Sequence, residues 1–205
     1  MLTIYIARNG QNKDNADGIL NGHRDLPLTD VGRRQGRELA EGIKSAGLTF
    51  DVVYTSKLSR QYDTAETITE ELGLPKPQIM PSLIERNFGV MTGKRIADIK
   101  ALCSPQIIET KTITYFLCPE GAETFPQLFA RGVKILAEVR ERHPEGSVLL
   151  VTSGDIGKMV YAAYYNLPWE QVLTDFHFGN SELLILSESS SAKESHVIHI
   201  EQYNH

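Results

Sequence analysis

Long apolar runs are missing from this chain: nothing approaches the roughly 20 consecutive apolar residues that a bilayer-crossing helix needs. The first apolar run, Leu2 to Ala7, is too short for a secretory leader. Cysteine is scarce, with only Cys103 and Cys118, and these lie outside any C-x-x-C spacing, so they read as core or loop thiols and a reduced, cytoplasmic setting is expected. There is no excess of basic charge. The 21 Lys plus Arg stand against 26 Asp plus Glu, and the net charge of -5 supplies no field for a nucleic-acid backbone or an anionic membrane. Any anion must be captured by a local cluster. No Gly-x-Gly-x-x-Gly follows the first apolar run, which argues against a dinucleotide site, and there is no Walker loop and no internal repeat.

What is present is a βα alternation. Leu2 to Ala7, Asp51 to Thr55 and Ser147 to Thr152 are short β-rich apolar runs, read as buried parallel strands. Helical patterns follow each of them, over Thr29 to Ala46, Leu58 to Leu72 and Ile156 to Tyr165. Thr29 is placed to cap the first, and Gly47 stands where a left-handed residue ends it. Glu123 to His143 reads as a long amphipathic helix, ended by Pro144 and Gly146. Ser181 to Ser187 and His196 to Gln202 form a hairpin at the sheet edge. The expected fold is α/β: a three-layer sandwich with a mostly parallel central sheet, helices on both faces and an antiparallel edge near the C-terminus. At 205 residues it should be one domain, 1–205, burying roughly 70% of its unfolded surface. Residues 100–122, with weak periodicity, are expected to form a cap or lid loop. The sequence leaves the oligomeric state open, a dimer included.

In open α/β sheets ligands bind beyond the carboxyl ends of the strands. Those positions hold Arg8-Asn9-Gly10, then Ser56-Lys57-Leu58-Ser59-Arg60, then Ser153-Gly154-Asp155. Guanidinium forks match phosphoryl oxygens, and helix N-termini add positive potential, so the set suits a phosphate, with Gly10 and Gly154 letting the backbone come close. Either arginine alone would read as a surface or salt-bridged residue; their joint placement reverses that.

These residues resemble the histidine phosphatase superfamily, in its phosphoglycerate mutase-like branch. The likeness runs through Arg8-Asn9-Gly10-Gln11 with Asn15, through Asn21-Gly22-His23-Arg24-Asp25-Leu26-Pro27-Leu28-Thr29, and through Thr55 to Arg60 with Thr64-Ala65-Glu66. It continues at Glu85-Arg86-Asn87-Phe88-Gly89 and Pro119-Glu120-Gly121-Ala122-Glu123, covering nearly the whole chain. The resemblance implies a phosphate pocket of Arg8, Gly10, Asn15, Gly22, Arg60 and Gly154, an acid/base role for Glu85, and a phosphorylated small molecule or phosphate as partner, with no cofactor and no metal. It also implies histidines where Asn9 and Ser153 stand, one to attack phosphorus and one to hold its oxygens.

Asn9 has no available nitrogen lone pair, and Ser153 carries no positive charge, so the covalent route is lost. The expected protein is a catalytically impaired pseudo-phosphatase. The alternative is an inactivated variant of a phosphomonoesterase, favoured over a mutase because no paired-arginine clamp is visible between Glu85 and Glu123. Ser56 and Ser153 lack a nearby histidine as base, and an aspartyl phosphate on Asp155 is the less favoured substitute. His177 reads as a packing residue rather than a pocket residue, and Trp169 as packing for the following helix. His196, His199 and His205 read as a surface edge rather than a metal site, since strand alternation sends His196 and His199 to opposite sides.

Overall fold

A computed structural model of the chain describes residues 1–202, so His205 lies outside the described residues. In chain order the elements are β1 (Leu2–Arg8), α1 (Lys13–Asp17), α2 (Asp30–Ser45), β2 (Val52–Thr55), α3 (Ser59–Leu72), β3 (Gln78–Ile79), α4 (Ile99–Cys103), β4 (Ile107–Glu109) and β5 (Thr114–Phe116). Then follow α5 (Phe125–Arg142), β6 (Gly146–Thr152), α6 (Gly154–Tyr164), α7 (Trp169–Asp175), β7 (Leu183–Leu186) and β8 (His196–Ile198). The two longest helices, α2 and α5, begin where the sequence supplies caps. The Thr29 hydroxyl accepts the Gly32 N–H, and Thr124 with Gln127 forms a reciprocal capping box at α5.

The main sheet has the order β3-β2-β6-β1-β7-β8. Strands β3, β2, β6 and β1 run parallel, while β7 and β8 join antiparallel at the edge. The register pairs Arg8 with Thr152 and Thr55 with Val151, so β1, β2 and β6 end at the same level. That shared rim is where the chain turns into its helices.

Alternation along the strands feeds two cores. Ile4, Ile6, Val148, Leu150, Leu184 and Leu186 pack toward α5, α6 and α7. Tyr5, Ala7, Val53, Leu149, Val151 and Leu183 pack toward α2 and α3. Period-two side chains buried on both faces produce three layers, and each full-sized apolar side chain contributes about 1.5–3 kcal/mol. Trp169 stacks on Phe125 of α5 with ring centroids 5.5 Å apart.

One segment differs from its expected form. Residues 99–116 are not an irregular loop but α4 followed by an antiparallel pair, β4 with β5, whose short β-branched and aromatic runs are too brief to show a period.

Candidate functional site

A cavity of about 590 Å³ opens at the carboxyl ends of β1 and β6. Arg8, Asn9, Asn15, Glu85, Ser153 and Gly154 line it, together with Asp155, Lys158, Tyr115 and His177. The β4–β5 hairpin contributes Lys111, Thr112, Ile113 and Tyr115 to its wall. Six of the nine residues singled out from the sequence therefore converge on one space.

The floor is a hydrogen-bonded chain. Gln61 Nε2 donates to Ser153 Oγ at 2.6 Å, and Ser153 Oγ donates to Asn9 Oδ1 at 2.8 Å. Asn9 Nδ2 then donates to the Gly10 carbonyl at 2.8 Å, while Ser56 Oγ donates to Gln61 Oε1. Asn9, Ser153, Gln61 and Ser56 are all buried. The two residues that stand in place of histidines thus satisfy one another without carrying charge. Asn180 completes the shell, donating Nδ2 to the Asn9 carbonyl at 2.8 Å.

The rim is charged. Glu85 is buried and accepts backbone N–H groups from Arg86 at 2.7 Å and Ile156 at 3.2 Å, so its carboxyl sits at the N-terminus of α6. Burial raises its pKa first, the nearby Asp155 raises it further, and the two backbone bonds and Arg60 pull the other way. A carboxyl biased toward its acid form can hand a proton to a leaving oxygen. Arg86 pairs with Asp155 at 2.8 Å and is enclosed by the rings of Phe88, Phe116 and Phe125. Arg8 donates Nη1 to the Phe178 carbonyl at 2.6 Å. Lys158 donates to the Tyr115 hydroxyl at 2.5 Å, and burial pushes its pKa down to about 8.

Arg60, Gly10 and Gly22 are not among the lining residues. Arg60 is buried and gives Nη1 to the Arg24 carbonyl and Nη2 to the Gly22 carbonyl, both at 2.8 Å, shaping the loop that holds those residues. Gly10 leaves room for the backbone of Gly32 rather than for a ligand. Gly22 adopts φ 49 against the Phe88 ring, a left-handed conformation that favours glycine. Sequence reasoning missed Gln61 and Lys158. Gln61 follows Arg60 within a helix pattern, and Lys158 stands alone among apolar residues of α6, which is the single signal it gives.

Two expectations about histidines need correction. His177 lines the cavity instead of packing, because it alternates along extended chain with Phe178, which is buried in the core, and Phe176, which stacks on Tyr161 at 4.0 Å. His196 and His199 do not diverge. Register shifts between Leu183 and Leu184, pairing Leu183 with Ile198 and Leu184 with His196, and this β-bulge resets the alternation. The two rings stack 4.9 Å apart with 12° between planes, both beside Glu182.

Parallel strands ending level, with the N-terminus of α6, Arg8 and Lys158 beside the cavity they open on, define an α/β protein with a strand-end pocket. The sequence pattern of the Histidine phosphatase superfamily (branch 1) matches residues 4–200, and the chain belongs to that family. It is 30% identical over 175 residues to a 2,3-bisphosphoglycerate-dependent phosphoglycerate mutase of Brucella melitensis, covering 83% of this chain and 85% of that one. A solved mycobacterial glucosyl-3-phosphoglycerate phosphatase in complex with VO3 superposes with TM-score 0.77 at 27% identity, over 90% of this chain and 92% of that one. A phosphoserine phosphatase of Entamoeba histolytica in complex with 3-phosphoglyceric acid superposes with TM-score 0.71 at 21% identity, over 90% of each chain, a likeness of fold. Among the described residues no helix is long and apolar enough to cross a membrane.

Proposed function

We propose that this chain binds a phosphorylated small molecule, or phosphate itself, and forms no covalent phosphohistidine. The observation that carries the reading is the direct Ser153–Asn9 hydrogen bond on the cavity floor, with Arg8 and Lys158 still in place on the rim. The Asn9 amide nitrogen has its lone pair delocalised, and the Ser153 hydroxyl donates to an amide oxygen too weakly basic to activate it, whereas a phosphoryl group needs only donors and cations to be held. In this reading Arg8, Lys158 and the N-terminus of α6 receive the oxygens, with Asn15 and Gly154 beside them. Arg60 acts by holding the 22–24 loop. Glu85 is the acid that a hydrolytic relative would use and is here left without a partner nucleophile. The hairpin within residues 100–122 caps the cavity and sets which ligand fits.

Proteins to which this chain is similar include a phosphoglycerate mutase and a glucosyl-3-phosphoglycerate phosphatase, which supports trying small phosphate esters first. Titration calorimetry with inorganic phosphate, vanadate and sugar phosphates tests the reading. Saturable binding that Arg8→Ala weakens at least about tenfold is the expected result. Binding absent for every anion, or indifferent to Arg8, contradicts it. The catalytic alternative, direct attack by water with Glu85 as acid, predicts turnover of an aryl phosphate that Glu85→Gln abolishes.

A further inference from the structure

We propose that Glu182, His196 and His199 form a binding site for a divalent transition-metal ion of the zinc type, separate from the anion cavity. Their ligand atoms all lie within 4.8 Å of one another. Glu182 Oε1 is 3.4 Å from His199 Nδ1, and Glu182 Oε2 is 3.6 Å from His196 Nε2. Those separations are long for hydrogen bonds. Each imidazole faces its own carboxylate oxygen, and three ligand atoms within that span can close on one ion at about 2.0–2.2 Å by side-chain rotation. Two imidazoles and one carboxylate are a donor set that suits zinc and leaves a fourth position open.

The site is built rather than incidental. The Glu182 side chain is only 6% exposed, and the Gly179 N–H donates to its Oε2 at 2.6 Å, fixing the carboxylate as an outer partner fixes a metal ligand. The β-bulge between β7 and β8 is what turns both imidazoles to the same side. His196 Nε2 now donates to the His177 carbonyl at 3.0 Å, and a bound ion would take that nitrogen's lone pair in place of its proton. A second cavity of about 480 Å³, lined by Glu182, His196 and His199, gives an ion its way in and a water its place on the fourth position. Occupancy would tie β8 to the segment that carries Phe178, whose carbonyl holds Arg8.

The test uses the full chain without an affinity tag. Cobalt(II) titrated into it should give the intense visible absorption of a four- or five-coordinate ion, saturating at one equivalent and displaced by zinc. His199→Ala, at a side chain 70% exposed and therefore safe for folding, should weaken zinc binding by more than the roughly tenfold that loss of an outer partner costs. His196→Ala should do the same, and His143→Ala, at a remote histidine bonded to Tyr54, should change nothing. No binding at micromolar metal, or binding undiminished by both His196→Ala and His199→Ala, overturns the proposal. Should His196→Ala fail to fold, the His199→Ala result decides alone.

Discussion

At the floor of the large cavity Asn9 and Ser153 share a hydrogen bond and carry no charge, while at its rim Arg8, Glu85, Asp155 and Lys158 are all ionisable and all face the same space. The floor is closed on itself: Gln61, Ser153 and Asn9 pass donors to acceptors in sequence. The rim is not closed in that way, because among the described residues Lys158 donates to the Tyr115 phenol alone and Glu85 is crowded by Asp155. The difference separates two tasks that a phosphatase performs with one set of groups. Holding an anion needs the rim, whereas attacking phosphorus needs a floor with a free lone pair.

The comparison breaks most visibly if the floor is rebuilt. Asn9→His with Ser153→His should raise aryl phosphate turnover by roughly 10³-fold or more over the present chain. Gln61 lies 2.6 Å from Ser153 Oγ, so an imidazole there collides with the amide, and adding Gln61→Ala should raise the rate further. Steady-state kinetics on the double and triple variants check both. If the double variant stays at the background rate while still binding phosphate, the floor does not explain the missing chemistry.

At the rim the expected effects are on affinity. Arg8→Ala should cost about 10- to 100-fold in phosphate binding by calorimetry, the range for losing charge-assisted hydrogen bonds. Lys158→Met should cost about tenfold near neutral pH. Its pH dependence has a definite sign. With a pKa near 8, Lys158 is cationic below that pH and neutral above it, so affinity for sulfate, whose charge is fixed over the range, should fall as pH rises through about 8. Ionisation of Glu85, whose carboxyl burial holds toward its acid form, adds negative charge and acts in the same direction. The Lys158→Met variant should lose the step near pH 8, and a step that persists would assign it elsewhere. Smallest on binding is Ser153→Ala, expected to change anion affinity by less than about threefold. It should nonetheless lower stability by about 1–3 kcal/mol in urea melts, because Gln61 Nε2 and Asn9 Oδ1 lose a buried partner.

Much of the scaffold was legible because apolar runs, caps and breakers agree. Leu2 to Ala7 and Ser147 to Thr152 became β1 and β6, and Thr29 and Gly47 bound α2 as read. The C-terminal hairpin lies at the sheet edge, as two apolar runs joined by a polar segment imply. Shorter elements escaped: β3 has two residues, and β4 and β5 have three each, below the length at which a period shows. The convergence of Arg8, Asn9, Glu85 and Ser153 followed from strand-end topology and family likeness together. Gln61 and Lys158 did not, since their roles depend on which way one helical turn faces. The pairing of His196 with His199 was hidden by a β-bulge, which reverses alternation without leaving a mark in composition.

The central claim is that phosphate is held without being taken covalently. Intact-mass analysis of the chain after incubation with an aryl phosphate, under conditions where calorimetry shows the anion cavity saturated, addresses it directly. The expected result is an unchanged protein mass and no release of the aryl alcohol above background. A phosphoryl adduct that accumulates and turns over would contradict it.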